Sequence, residues 1–127
     1  MVDIHSYSND SGIYGIYIDD ALVYIGKAKN FHQRFSGHTQ SVRHSDTQWY
    51  PLAREFDKRG HLVKARIIEK VPVRALYETE LKYINELDPI FNIDGCKKGK
   101  KRPANYDIAI KILGLEPRPP VIEIKIE

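Results

Sequence analysis

Two short β-rich runs, residues 12–18 and 22–26, are parted only by Asp19-Asp20 and Ala21, and this closeness constrains the fold more than any other feature of the chain. Runs so near in sequence pair antiparallel, as a hairpin. The register then decides which side chains share a face. If Ile18-Asp19-Asp20 form a three-residue loop, Tyr14 pairs directly with Tyr24 and both phenols stand on one face. If Asp19-Asp20 alone make the turn, Tyr17 shares the face of Tyr24, because a one-residue slip flips every side chain. Both registers suit the residues.

After the hairpin, Asn30 and Gln33 are placed as an N-cap pair for a helix opening at Phe31. Phe31 and Phe35 mark its core stripe, and Arg34 and His38 fall together on a neighbouring stripe. Residues 39–47 are polar and turn-like. Trp49, Leu52, Ala53 and Phe56 predict a second helix, stopped near Gly60. Leu62 to Glu69 reads as a third strand. Pro72 opens a long helix on which Leu76, Glu80, Tyr83, Ile84 and Leu87 follow one face. Asp88-Pro89 ends it, and residues 89–93 read as extended. A helix over 106–113 and an edge strand on the alternation Ile122, Ile124, Ile126 follow.

With 127 residues the chain predicts a single domain with a core of its own. A net charge of +3 and a pI near 8.9 suit a polyanionic partner without demanding one. The one cysteine, Cys96, cannot make an internal disulfide. No apolar run approaches the roughly 18 residues of a membrane span, and no signal peptide is visible, so a cytoplasmic setting is expected. Cys96, His5, His32 and His61 show no zinc-ligand spacing. Residues 97–102, Lys-Lys-Gly-Lys-Lys-Arg, fit either a phosphate-tracking patch or a solvated loop.

Glu80 is out of place on its apolar stripe. An ionised carboxylate there costs on the order of several kcal/mol unless a cation pairs with it. A metal ion is one such cation; an ion pair with Arg66 or Lys82 is the plainer alternative. Phosphodiester hydrolysis needs an activated water, charge neutralisation at the phosphate and help for the leaving oxygen. A divalent metal on a carboxylate serves the last two. Arg34 offers a planar fork of donors that suits a phosphate. Phenols such as Tyr14 and Tyr24 can act as bases if a cation or a histidine eases their ionisation.

These residues also form a spaced motif. Gly12-Ile13-Tyr14 is followed after nine residues by Tyr24-Ile25-Gly26, with Arg34 eight positions on and His38 four beyond that; Glu80 and Asn92 come later in order. The pattern resembles the catalytic core of the GIY-YIG nuclease family over about residues 11–95. The resemblance implies a small α+β domain with a central three-stranded antiparallel sheet flanked by helices. It favours the register that places Tyr14 and Tyr24 together, which a G1-type bulge in the loop would allow. It implies Tyr14, Tyr24, Lys27, Arg34, His38 and Glu80 as catalytic residues, with Glu80 the sole protein ligand of Mg2+ or Mn2+. Arg34 would hold the scissile phosphate, and Lys27 and His38 would tune the phenols. Gly26, His44, Asn92 and the basic Lys97, Lys98, Lys100, Lys101 and Arg102 complete the expected nucleic-acid face, with Asn92 steadying the site.

The expected function is therefore a metal-dependent DNA endonuclease built on residues 1–95, with 96–127 a basic loop and C-terminal extension on or near the domain. No sequence-reading module is evident, so a weak or short preference and single-strand nicking are expected unless two copies pair through residues 122–126. The alternative is a nucleic-acid-binding module that uses the same basic face without cleaving.

Overall fold

The computed structural model describes residues 2–3, 8–93 and 100–120. Lys97, Lys98, Cys96, His5 and the alternation at 122–126 lie outside the described residues. The elements are β1 (Val2–Asp3), β2 (Gly12–Ile18), β3 (Ala21–Ala28), α1 (Phe31–His44), α2 (Tyr50–Lys58), β4 (Val63–Lys70), α3 (Leu76–Leu87) and α4 (Tyr106–Leu113). A single 3-10 turn, Val73–Ala75, leads into α3. β2 is the central strand, antiparallel to β3 on one side and to β4 on the other. This is the expected three-stranded antiparallel sheet. β1 adds two residues parallel to the outer edge of β4, which the sequence did not signal.

The hairpin follows neither register in full. Ile18 pairs with Ala21, so the turn is Asp19-Asp20 alone, and both aspartates take positive φ, 47° and 68°. That is the mirror-image turn whose twist suits a two-residue hairpin. Between Ile16 and Tyr17 the pairing then shifts: Tyr17 faces Leu22, Ile16 faces Tyr24, and Val23 is extra. The bulge thus lies in β3, not in the loop. It returns Tyr24 to the face of Tyr14, with Tyr14 opposite Gly26. A second irregularity, between Ile13 and Tyr14, bulges β4 at Ile68. Bulges re-aim side chains and gather beside functional sites, and these two bracket Tyr14.

The sheet has two apolar faces. Tyr14, Ile16, Ile18, Val23 and Ala28 pack with Phe31, Phe35 and Val42 of α1, Ala53 and Phe56 of α2, and Tyr106, Ala109 and Ile110 of α4. On the other face Ile13 and Ile25 meet Leu76 and Ile84 of α3. Tyr17 lies toward that second side, with the Arg66 guanidinium 4.9 Å from its ring.

Three local expectations change. Helix α1 does not stop near residue 39 but runs to His44, because Phe31, Phe35, His38 and Val42 form one continuous buried stripe. His38 therefore stands in the core stripe itself, leaving Arg34 alone on the flank. Leu87 is 51% exposed, since α3 reaches past the sheet before Asp88 ends it with φ 44°. Residues 89–92 form a turn, with Asn92 N–H donating to the Pro89 carbonyl at 3.2 Å, rather than an extended strand. Helix α4 is capped by Asn105, which accepts from Ile108 N, and by Gly114 at φ 65°.

Gly12 sets the closest approach in the sheet. A β-carbon there would strike the Glu69 carbonyl oxygen and come within 2.6 Å of the Phe31 ring and 2.9 Å of Lys70 Cα. Backbone cannot yield as a side chain does. Gly12→Ala should therefore cost about 1–3 kcal/mol, the usual range for overpacking, or more. Urea unfolding checks this; a variant as stable as the parent would contradict the packing at the β2–β4 contact.

Candidate active site

Gly26 makes room for the centre of the site. Any β-carbon on it would collide with the phenol of Tyr14, whose ring lies across β3 at that point. Tyr14 is fully buried and His38 is 2% exposed. The Tyr14 hydroxyl is hydrogen-bonded to His38 Nε2. Arg34 Nε donates to the same hydroxyl at 3.2 Å, and His38 Nδ1 lies 3.1 Å from the Tyr50 hydroxyl. The α1 spacing explains the grouping: positions 34 and 38 are one turn apart, so both reach the ring from one side.

The charges are set by this burial. Desolvation first, and the Arg34 charge second, push the His38 pKa down to about 3, so the ring is neutral at pH 7. Burial holds the Tyr14 phenol well above its ordinary value; Tyr24 adds to this, and Arg34 opposes it. Tyr24 is shifted the same way, by burial, against the pull of Arg34 and with the Glu80 carboxylate adding to the rise. Desolvation works against the Arg34 charge, but the surrounding phenols outweigh it and the guanidinium stays protonated. Among the described residues no carboxylate pairs with Arg34; the groups that answer its charge are the phenols of Tyr14, Tyr24 and Tyr50.

Tyr24, Arg34 and Glu80 line one cleft of about 590 Å³. Lys27, Lys29 and Arg102 add positive charge to its walls. Glu80 reaches it from α3, its side chain 17% exposed, and Lys27 Nζ is 3.2 Å from its Oε1. The ion pair thus exists, but with Lys27 and not with Arg66 or Lys82. Strand alternation sends Lys27 to the α3 side of β3, so the cation that acts on the phenols is Arg34. Asn92 is committed to the frame of the cleft. Its Oδ1 accepts from Ile25 N at 2.8 Å and its Nδ2 donates to Ile25 O at 2.9 Å. With Phe91 N donating to Val23 O at 2.8 Å, the turn closes the open edge of β3.

The other predicted residues lie further out. His44 is exposed at the end of α1. Lys100 is tied to Asp88 at 2.8 Å and to the Pro89 carbonyl, and Lys101 is exposed. Arg102 donates from Nε to Phe91 O at 2.8 Å, which fixes it on the cleft wall. Sequence reasoning missed Tyr50, Trp49 and Gln48. Trp49 packs 5.0 Å from the Tyr24 ring and 5.5 Å from His38. Gln48 lines the cleft with φ 55°, a costly backbone for a non-glycine residue. The adjacent aromatic pair at 49–50, just before Pro51, was the available signal.

Among the described residues no group of three or more His, Cys, Asp or Glu could hold a metal, and no helix is long and apolar enough to cross a membrane. A single carboxylate on an open cleft nevertheless fits Mg2+, which keeps most of its waters and takes one or two protein oxygens plus phosphate.

A profile of the GIY-YIG catalytic domain matches residues 10–94, two-thirds of the sequence, and the chain belongs to that family. Intron-associated endonuclease 1 of Enterobacteria phage T4 is 32% identical over 85 residues, which cover 65% of this chain and 35% of that protein. The chain thus matches about a third of that relative's length. Among solved structures, bacteriophage T4 EndoII is similar with a TM-score of 0.53 and 25% identity, over 66% of this chain and 74% of that one. The N-terminal endonuclease domain of UvrC from Thermotoga maritima, bound to its catalytic divalent cation magnesium, gives 0.46 and 21% over 68% and 86%.

The His38 shift carries a stability consequence. Its folded pKa lies below the ordinary 6.5, so the unfolded chain binds a proton that the fold refuses. Stability from this group is full above pH 6.5 and is lost as pH falls toward 3, by up to ~1.4 kcal/mol per pH unit. His38→Gln should lose less stability between pH 7 and pH 5 than the parent, as measured by urea unfolding. An identical loss in both proteins would contradict the buried neutral imidazole.

Proposed function

We propose that this chain is a divalent-metal-dependent DNA endonuclease that hydrolyses phosphodiester bonds with a weak or short sequence preference. One observation carries this reading. A single cleft gathers an arginine with no acidic partner among the described residues, a phenol and a carboxylate, which are the three groups such hydrolysis needs.

The residues divide the work. The Nη groups of Arg34 hold the phosphate, their fork matching two of its oxygens. Tyr24, the phenol that lines the cleft, orients the attacking water by accepting a hydrogen bond from it. Tyr14, closed to solvent, anchors Arg34 through Nε. Glu80 would hold Mg2+ or Mn2+, which when bound neutralises charge on the phosphate and leaving oxygen. Lys27 keeps the Glu80 carboxylate in place, and Asn92 fixes the strand that carries Tyr24. Lys29 and Arg102 extend positive charge along the cleft for the neighbouring phosphates. A single site acts on one strand at a time, so nicking is the expected product.

Glu80→Gln and excess EDTA should each abolish cleavage while leaving the fold intact. Arg34→Lys should lower turnover about 10²- to 10³-fold, because lysine lacks the fork. Tyr24→Phe should fall severely and Tyr17→Phe little. Assaying nicked product from supercoiled and single-stranded DNA, with and without Mg2+, tests all of these. Cleavage that persists in EDTA sinks the metal requirement, and binding without cleavage sinks the enzyme.

Arg102 should contribute affinity and not chemistry. Arg102→Ala should reduce the salt slope of DNA binding by roughly 0.7–0.9, the value of one phosphate contact, with kcat little changed. An unchanged slope would confine Arg102 to its bond with Phe91.

A further inference from the structure

We propose that Tyr50 sets the tautomer of His38, and through it the direction of the hydrogen-bond chain that ends on the Arg34 guanidinium. The argument is a count of protons. Among the described residues the Tyr14 hydroxyl has two polar partners, Arg34 Nε and His38 Nε2. Arginine can only donate. The one proton of Tyr14 therefore goes to His38 Nε2, which must present a lone pair. A neutral imidazole with its lone pair on Nε2 carries its hydrogen on Nδ1, and Nδ1 faces the Tyr50 oxygen at 3.1 Å.

The opposite tautomer fails the count. With hydrogen on Nε2, Tyr14 would receive two donors, and its own proton would have no acceptor in a fully buried place. The chain therefore runs one way. Arg34 donates to Tyr14, Tyr14 to His38, and His38 to Tyr50. Its consequence lies at the far end: the Arg34 Nε–H is spent inside, on Tyr14, which fixes the guanidinium where Arg34 lines the cleft. Tyr50, on the first turn of α2 and only partly buried, is the terminal acceptor and keeps its own proton for solvent. Removing its oxygen leaves Nδ1–H without a partner and lets the Nε2–H form compete. Tyr50 is thus a positioning residue; it acts on the phosphate grip through three other side chains. The inference depends on the nuclease reading only for its kinetic consequence.

The test is 15N NMR of the imidazole in the full chain, without DNA. His38 should show a protonated Nδ1 and an unprotonated Nε2 at pH 7 in the parent. Tyr50→Phe should shift His38 toward the Nε2–H form and lower kcat about tenfold with KM little changed, the size of effect that the loss of one hydrogen bond in the chain would give. An Nε2–H tautomer in the parent overturns the proposal, whether or not the variant folds. So does a Tyr50→Phe protein with the parent's tautomer. A chain that holds the Nδ1–H form and does not cleave supports this proposal while removing the nuclease reading.

Discussion

Asp19 and Asp20 reverse the chain in two residues, and a turn that short would by itself send Tyr24 to the α3 face. Val23 prevents this. As the extra residue of a bulge it advances β3 by one position, so Tyr24, Gly26 and Ala28 face the same way as Tyr14 and Ile16. Everything at the site depends on that phase. Gly26 comes opposite Tyr14 and admits its ring. Tyr24 comes beside Arg34, and the alternation leaves Lys27 on the far side, where Glu80 arrives from α3. With the ladder in simple register, the phenols would lie on opposite faces and Tyr24 would not come beside Arg34.

The same edge strand separates two electrostatic neighbourhoods. On the α1 side, a buried neutral histidine and two phenols surround one arginine, and among the described residues no carboxylate pairs with it. Burial disfavours the ionised form of each of these groups, so Arg34 is the charge that survives there. On the α3 side, Glu80 stands between Leu76 and Ile84, answered by Lys27. Arg34 and Glu80 both line the cleft, one from each side of β3. A bare phosphate near Glu80 would be repelled by its carboxylate, and under the proposed reading a cation shared between the two relieves that repulsion. Asn92 makes the division rigid by pairing with both backbone groups of Ile25, midway between Tyr24 and Gly26.

Local signals were legible in the sequence. The Asn30 cap, the Phe31–Phe35 stripe, the strand after Gly60 and the helix from Tyr106 all rest on contacts within a few residues, and those elements form. The misplaced features share another cause. A bulge is invisible to a period-two pattern, since one extra residue leaves the composition of the strand unchanged. His38 was assigned to the flank because its core stripe becomes visible only when the helix is followed to Val42. Glu80 was recognised as anomalous, but its partner lies 53 residues away, at Lys27. The aromatic pair at 49–50 marked the place of Tyr50 but not its role, because its partner is set by how α2 packs on α1. Spacing identified the residues proposed to meet the substrate more readily than those that hold them in place.

A second buried histidine shows what distinguishes the site from the scaffold. His61 Nδ1 lies 2.5 Å from Asp19 Oδ2, and its Nε2 lies 2.6 Å from the Tyr106 hydroxyl. That hydroxyl also accepts from Arg118 N at 2.9 Å, and Asp19 accepts from Leu62 N at 2.8 Å. The count is the same as at His38: the phenol, already accepting, gives its proton to Nε2, and Nδ1–H goes outward. Here both ends terminate in the protein, on a carboxylate and on a backbone N–H, and nothing is left for a ligand. The chain ties the hairpin turn to α4, a helix beyond the matched family region. The His38 chain has the same pairing of phenol and imidazole, but it ends on Arg34, which lines the cleft. Satisfaction at both ends makes a brace; a guanidinium on the cleft wall has donors that the proposed phosphate would take up.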